Sequence, residues 1–314
     1  MAGDMASVAE DGLKRGQVAG LQRSRMLAAT FAACAEQGAA GLSVADIVSR
    51  AGISRRTFYE LFDSCEDCLL AALDQAIAAA SERALTAYDP QAPWRTRMRT
   101  ALTALLQFLD EQPQMARLLV VESLAAGPRA FERRSRALAG AVAAIDDGRA
   151  AMKKGMEPPP LTAEGIAGGI LAVLHQRMLE GARQSLTALS NPLMGMVVLP
   201  YLGATAARAE LAQPAPKPPR RRPPGPESLA ALDMRLTYRT IRVLQAIAEQ
   251  AGVSNRQVGR VAGVDDPGQI SKLLGRLQRI GLIENTAPPV KGAANSWALT
   301  SKGAEVQRTI AAQL

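Results

Sequence analysis

Apolar positions recur at helical spacing through most of the chain. Between Leu42 and Phe62, Val44, Ile47, Val48 and Ala51 fall at i, i+3, i+4 and i+7, the stripe of a one-sided buried helix. Ser43 stands at the N-cap position, and Asp46 adds negative charge to the first turn. Gly52 permits the left-handed conformation that ends a helix, and Ile53 plugs the turn behind it. Ser54 then caps a short helix from Arg55 to Leu61 with Phe58 and Phe62 on its inner side. Upstream, Arg23 to Gly38 forms a third amphipathic helix, with Met26, Leu27, Thr30, Phe31 and Cys34 inward. Two of the three helices are joined by a tight glycine turn, and the last exposes Arg55, Arg56, Thr57 and Tyr59 near its start. Residues there can enter the major groove, where arginine pairs bidentately with guanine O6 and N7.

From Thr86 to Gln213 the period stays helical, with breaks at Asp89–Pro93, Gln112–Gln114, Gly127-Pro128, Glu157–Leu161 and Ser190–Pro192. About five helices are predicted, the last two over Thr162–Gly181 and Pro192–Leu211. Ala167, Gly168, Gly169 and Ala172 permit close helix approach, and Val197, Val198, Leu199 and Leu202 supply apolar surface. The run QPAPKPPRRRPPGPE, Gln213 to Glu227, ends the helical region, because proline removes the backbone donor and fixes φ. It reads as an extended spacer reaching roughly 45 Å.

Beyond the spacer, Leu236 to Gln250 is a helix with Ile241, Leu244, Ile247 and Ala248 on one face. Ser254 caps a short helix with Val258 and Val261 inside. Asp266 caps another, with Pro267 at the first position and Gln269 at the third. Ile270, Leu273, Leu274 and Leu277 form its buried stripe, and Gly281 ends it. Leu282–Asn285 and Asn295–Leu299, the latter containing Trp297, read as two strands around the loop Ala287–Gly292. A final helix opens near Thr300.

Composition narrows the chemistry. The 314 residues are 48% hydrophobic but only 4% aromatic, which favours helices. One histidine, His175, and three cysteines leave no metal constellation and no disulfide scaffold, and no phosphate loop or nucleophile elbow appears. No enzymatic activity, cofactor or metal is expected. Cys65-Glu66-Asp67-Cys68 reads as small side chains in the first turn of a helix rather than a redox site. No apolar secretion signal or membrane span is expected, and the protein reads as cytoplasmic. Net charge is +8, and from Pro214 onward 15 basic residues face 7 acidic ones, so the excess sits in the spacer and the C-terminal part.

The stretch Arg25 to Leu69, with Phe31, Gly38, Ser43, Ile47, Ala51-Gly52-Ile53-Ser54, Thr57-Phe58-Tyr59, Phe62 and Glu66, resembles the DNA-binding domain of TetR-family repressors. The resemblance implies an all-α homodimer, an N-terminal three-helix reader and a helical ligand domain that dimerises through its last two helices. It implies a double-stranded DNA operator and a small-molecule effector as partners. It matches Ser43, Ser54, Thr57 and Tyr59 to family positions that commonly touch phosphates, and with Arg25, Arg55 and Arg56 these are the candidate DNA-binding residues, although a glycine is frequent in the family where Arg56 stands. A phosphate-contacting lysine is frequent in the family where Cys65 stands here. Met98, Leu105, Phe108, Leu119, Leu171, His175 and Met178 are candidates for an effector pocket, although the plainer reading is that they fill the bundle core and that His175 is a structural or surface histidine. The run SKLLGRLQRIGLIEN with WALTSKG resembles the MarR-like winged-helix domain. That resemblance puts Ser254, Arg256, Gln269, Ser271, Lys272, Arg276 and, on the wing, Lys291 at DNA.

The expectation is therefore a mainly α protein. A disordered arm spans 1–20, a helix-turn-helix domain 21–85, and a ligand and dimerisation bundle 86–212. A linker spans 213–227, and a small α+β winged-helix domain 228–314. The expected function is a ligand-released, DNA-binding transcriptional regulator with a second reader at its C-terminus. The rival is an adaptor whose C-terminal domain docks a protein or dimerises.

Overall fold

The computed structural model describes residues 2–152, 157–181, 185–219, 238–264, 266–288 and 294–313. Lys291, the start expected for the helix at Leu236 and most of the 213–227 spacer lie outside the described residues. Contacts divide the chain into two units. One comprises Met1–Ala29, Val44–Ser64 and Pro224–Leu314, the other Thr30–Ser43 and Cys65–Pro223. The division does not follow the consecutive blocks expected, because the first helix contributes to both units.

That helix, α1, runs Ala2–Gln37. The expected disordered arm over 1–20 is instead helical. No proline precedes Pro90, so nothing removes a donor from the backbone ladder, and the glycines at 3, 12, 16 and 20 lower helix propensity without interrupting it. In the first unit, α2 (Val44–Ala51) and α3 (Arg55–Tyr59) follow the expected pattern. Ile47, Ala51, Ile53, Phe58 and Phe62 are buried, and Gly52 has φ 63°. Helix α3 stops at Tyr59 rather than Leu61. The Leu61 amide donates to Phe58 O at 3.0 Å, a tightened last turn.

The first unit also contains α10 (Tyr238–Glu249), α11 (Asn255–Ala262), α12 (Pro267–Arg279), β1 (Ile283–Asn285), β2 (Trp297–Leu299) and α13 (Ser301–Gln313). The strands pair antiparallel with Ile283 opposite Leu299 and Asn285 opposite Trp297. Val253, just before α11, adds an isolated bridge to Trp297. Ile241, Leu244, Ile247, Val258, Ile270, Leu274, Leu277 and Trp297 share one core. Two expected core residues are corrected. Ala248 is exposed while Val243 and Ala246 are buried, and Val261 is 40% exposed while Ala262 is buried.

The second unit is built from α4 (Cys65–Thr86), α5 (Trp94–Glu111), α6 (Pro113–Val120), α7 (Pro128–Asp146), α8 (Thr162–Leu179) and α9 (Ser190–Leu211). Helix α4 packs against α5, α6 and α7. The five expected helices after residue 86 are present. The break expected at Ser190–Pro192 is absent: α9 starts at Ser190, and Pro192 lies in its first turn, where a missing N–H costs nothing. The carboxylate of Asp110 ties the end of α5 to the 3-10 turn Leu186–Leu189. It accepts from Leu186 N at 2.8 Å, Thr187 N at 2.9 Å, Thr187 Oγ1 at 2.7 Å and the Ser185 hydroxyl.

The last helix is not the single rod expected over Pro192–Leu211. Pro200 lies inside it and Gly203 has φ 78°, ψ 177°, a conformation open essentially to glycine alone. At 1.5 Å per residue a straight helix would hold residues 191 and 213 roughly 33 Å apart. Instead Asn191 Nδ2 donates to Gln213 O at 2.7 Å, and a Cβ on Gly195 would sit 3.6 Å from the Leu211 side chain. Residues 204–211 fold back along the first half of α9. Buried Glu210 holds this return by pairing with Arg95 and Arg99, and Arg99 also donates to Asn191 Oδ1 at 3.0 Å.

Candidate nucleic-acid interface

The sequence around Ser54 builds one rigid cationic surface. Ser54 has extended backbone angles, and its hydroxyl accepts from Thr57 N at 3.0 Å. The Ser54 and Thr57 hydroxyls lie 2.9 Å apart and bond to each other. Phe58 is fully buried, meets Phe62 at a centroid distance of 5.8 Å and packs edge-on to Tyr59 at 5.4 Å. With Phe58 fixed inward, helical geometry turns Arg55, Arg56 and Tyr59 outward. Arg55 is exposed, the Arg56 side chain is 89% exposed and Tyr59 is 58% exposed. Glu60 pairs with Arg56 at 3.0 Å, one turn along. Such an exposed pair contributes well under about 1 kcal/mol, so Arg56 can leave it at little cost. Thr57 is half-buried on this helix, and Ser43, the residue before α2, is half-buried as well.

Ser54→Ala is expected to cost about 1 kcal/mol of stability through the lost cap, within a range of about 0.5–2 kcal/mol. A urea midpoint identical to that of the parent protein would show that the cap carries none of it.

Arg25 departs from its expected place. It is 3% exposed, and burial lowers its pKa to about 10. In this conformation its guanidinium does not reach solvent. Arg23, which sequence reasoning did not single out, lies over the Phe62 ring at 5.5 Å. Glu122 was also missed. It is buried, accepts from Ala39 N at 2.9 Å and pairs with Arg117 at 3.1 Å, holding the 3-10 turn Ala39–Gly41 that precedes α2. That contact spans 83 residues and leaves no local signal. The cysteines serve packing. The Cys65 thiol donates to Leu42 O at 3.5 Å, and Cys68 lies 3.3 Å from the Thr30 hydroxyl. Burial, reinforced by the charge of Glu122, pushes the Cys34 thiol up to about 12, away from the reactive thiolate form. Among the described residues no group of three His, Cys, Asp or Glu could hold a metal ion.

A second polar surface lies on α11 and α12. Asp266 caps α12 by accepting from Gly268 N at 2.7 Å. Gln269, Ser271, Lys272 and Arg276 are exposed on it, and Arg256 is exposed on α11. Ser254 and Gln257 form a reciprocal capping box, so the Ser254 side chain is engaged in holding α11. Asn255 links the surface to the strands. Its Oδ1 accepts from Trp297 Nε1 at 2.6 Å, and its Nδ2 donates to Ser271 Oγ at 3.2 Å.

Of the candidate pocket residues, Met98 and Phe108 are in the core of the second unit with Leu105, Leu119 and Met178 packed against it, and Leu171 and His175 are half-buried on α8. His175 shares a helical face with exposed Gly165, Gly168 and Ala172. Val197 and Val198, expected as apolar surface, are buried; Met196 and Leu199 are the exposed residues of that helix, at 40% and 49%. The stretch Leu186–Leu211 is long and apolar enough to cross a membrane by composition, but it bends at Gly203 and 56% of that window is buried within the fold.

Residues 26–72 match the family model for bacterial regulatory proteins of the tetR family. No curated protein matches the chain. Among solved structures, the chain is similar to the fatty acid degradation regulator FadR from Bacillus halodurans. Identity is 16% and the TM-score 0.51, over 56% of this chain and 94% of that one. It is also similar to FadR from Bacillus subtilis, solved with stearoyl-CoA, at 19% identity and TM-score 0.50 over 58% and 98%. SmeT, the repressor of the Stenotrophomonas maltophilia multidrug efflux pump SmeDEF, is similar at 18% identity and TM-score 0.50 over 64% and 97%. The chain thus carries a tetR-family N-terminal domain on a TetR-like helical fold.

Proposed function

We propose, from the tetR-family match over residues 26–72 and the geometry of α3, that the protein is a sequence-specific DNA-binding transcriptional regulator. It acts in the cytoplasm as a homodimer, and a small-molecule effector in the second unit releases it from its operator. The observation that carries this reading is the exposed Arg55, Arg56 and Tyr59 held on a capped helix by a fully buried Phe58. Two such helices, one from each protomer, would enter successive major grooves about 34–36 Å apart. The dimer face would combine Gly168, Ala172 and Leu179 of α8 with Met196 and Leu199 of α9, all exposed in this chain. The fold-back at Gly203 removes the end of α9 from that face.

Selection from random duplex DNA followed by titration tests the reading. Arg55→Ala or Arg56→Ala is expected to cost about 1–3 kcal/mol and to relax the preference at one base position per half-site. A strictly monomeric chain, or one that selects no sequence at moderate salt, overturns it.

The C-terminal helices and hairpin act as a second, winged-helix DNA module in this reading. Exposed Gln269, Ser271, Lys272 and Arg276, and the excess of basic residues after Pro214, support it. Lys272→Ala in the full chain should lower the salt slope of operator binding by about one phosphate contact. An unchanged slope favours a docking role for this domain instead.

A further inference from the structure

Helix α1 carries a buried stripe that starts well before its Met26–Cys34 core residues. Leu21, Arg25 and Ala29 follow at i, i+4 and i+8, and they are 1%, 3% and 2% exposed. Leu21 belongs to a core cluster whose other members all come from the C-terminal helices and strands, among them Ile241, Leu244, Leu274 and Trp297. The C-terminal domain is therefore seated on this side of α1. Arg25 lies one helical turn further along the same stripe. Its Nε, Nη1 and Nη2 are all shielded from solvent, and none has a hydrogen-bond partner among the described residues. A buried guanidinium without an acceptor is strongly unfavourable, so the seated arrangement contains an interaction that opposes it.

We propose that the C-terminal domain, seated over Leu21, is an autoinhibitory cover that withholds Arg25 from DNA, and that a backbone phosphate of duplex DNA is the acceptor the guanidinium gains when the cover lifts. The proposal rests on the DNA-binding reading given above. Its chemistry is that of arginine and phosphate, whose planar fork and oxygens form two parallel charge-assisted bonds. The unpaired charge makes the covered state costly, and the phosphate rewards the open one, so DNA and cover compete for the same face of α1. The covalent connection through the chain keeps the lifted domain tethered near the operator. Apparent affinity falls by the fraction of molecules that are open, so a chain that is nine-tenths covered binds about tenfold more weakly than its uncovered form.

Arginine modification by phenylglyoxal, read residue by residue by mass spectrometry, together with titration of the selected duplex, tests this on the full chain. In the parent protein Arg25 is expected to be protected while exposed Arg55 reacts. Leu21→Glu places a carboxylate in the apolar contact. It should make Arg25 reactive and raise duplex affinity about tenfold, and added DNA should protect Arg25 again. Leu21→Ala, a milder change, should move both readouts the same way by less, and it serves where the charged variant aggregates. Arg25 reacting as fast as Arg55 in the parent protein removes the cover. Leu21→Glu uncovering Arg25 without a gain in affinity removes the inhibition. A chain that selects no duplex in any form overturns the DNA-binding reading and the inhibition with it, while Arg25 reactivity still reports the seating of the domain.

Discussion

Gly303→Ala is expected to unfold the C-terminal helices and hairpin. A Cβ at this position would lie 1.8 Å from Leu282 O and 2.8 Å from Leu282 C. Those atoms belong to backbone that is fixed on both sides. Leu282 N donates to Leu277 O at 3.0 Å, and Thr300 N donates to Leu282 O at 3.1 Å. Thr300 also closes the junction by donating from Oγ1 to Gly281 O at 2.6 Å and accepting from Gly303 N at 3.0 Å. Neither side can yield without breaking this set of bonds, so the cost should exceed the usual range for overpacking, at more than about 3 kcal/mol. For a segment of this size that is a drop of about 15 °C or more in its melting temperature. Hydrogen exchange should show lost protection across residues 283–313. The control has the opposite sign. Gly275 lies inside α12, and a Cβ there would meet nothing within 4 Å, so Gly275→Ala should stabilise by about 0.5–1 kcal/mol. Equal melting of Gly303→Ala and the parent protein would remove close backbone approach as the reason for glycine there.

Asp110→Ala carries the second large effect, in the other unit. The carboxylate serves two backbone amides and two hydroxyls of the turn before α9. Thr187 is fully buried and Leu186 is 4% exposed, so water cannot replace the lost acceptor. Hydrogen bonds to a charged group contribute about 1.5–3 kcal/mol each, and they are not additive when one group serves them all. A loss of about 3–5 kcal/mol is expected, seen as a lower urea midpoint with an unchanged slope. Asp74 gives the contrast. Its side chain is 53% exposed and pairs with Arg133, so Asp74→Ala should change stability by less than about 1 kcal/mol. Matching midpoints for the two variants would show that the Asp110 cluster contributes no more than a surface ion pair.

The exposed cationic surface on α3 was legible because its signals are local. A serine cap, a glycine at positive φ, a buried phenylalanine and the arginines between them all fall within Gly52–Tyr59, and each constrains its neighbours through one helical turn. The same holds for Asp266 and the stripe of Ile270, Leu274 and Leu277. Long-range partners were not legible. Arg25 sits at a position expected to face DNA, yet it is buried one helical turn after Leu21, and no local periodicity announces that Leu21 joins the core of the C-terminal helices. His175, whose plainer reading from sequence is a structural or surface histidine, lies half-buried on the face of Gly168 and Ala172.

Sequence alone determined most of the helices after residue 21 and the caps at Ser54, Ser254 and Asp266, because these depend on atoms a few residues apart. It also determined that the second helix of the front motif carries exposed cations. The tertiary structure decided how stripes were shared among neighbours: α1 serves two units, α9 folds back at Gly203 against Arg95 and Arg99, and Glu122 reaches Ala39. A periodic stripe specifies that a face is covered. Which surface covers it follows from packing and charge compensation between residues far apart in the chain, and those are satisfied only once the whole chain is folded.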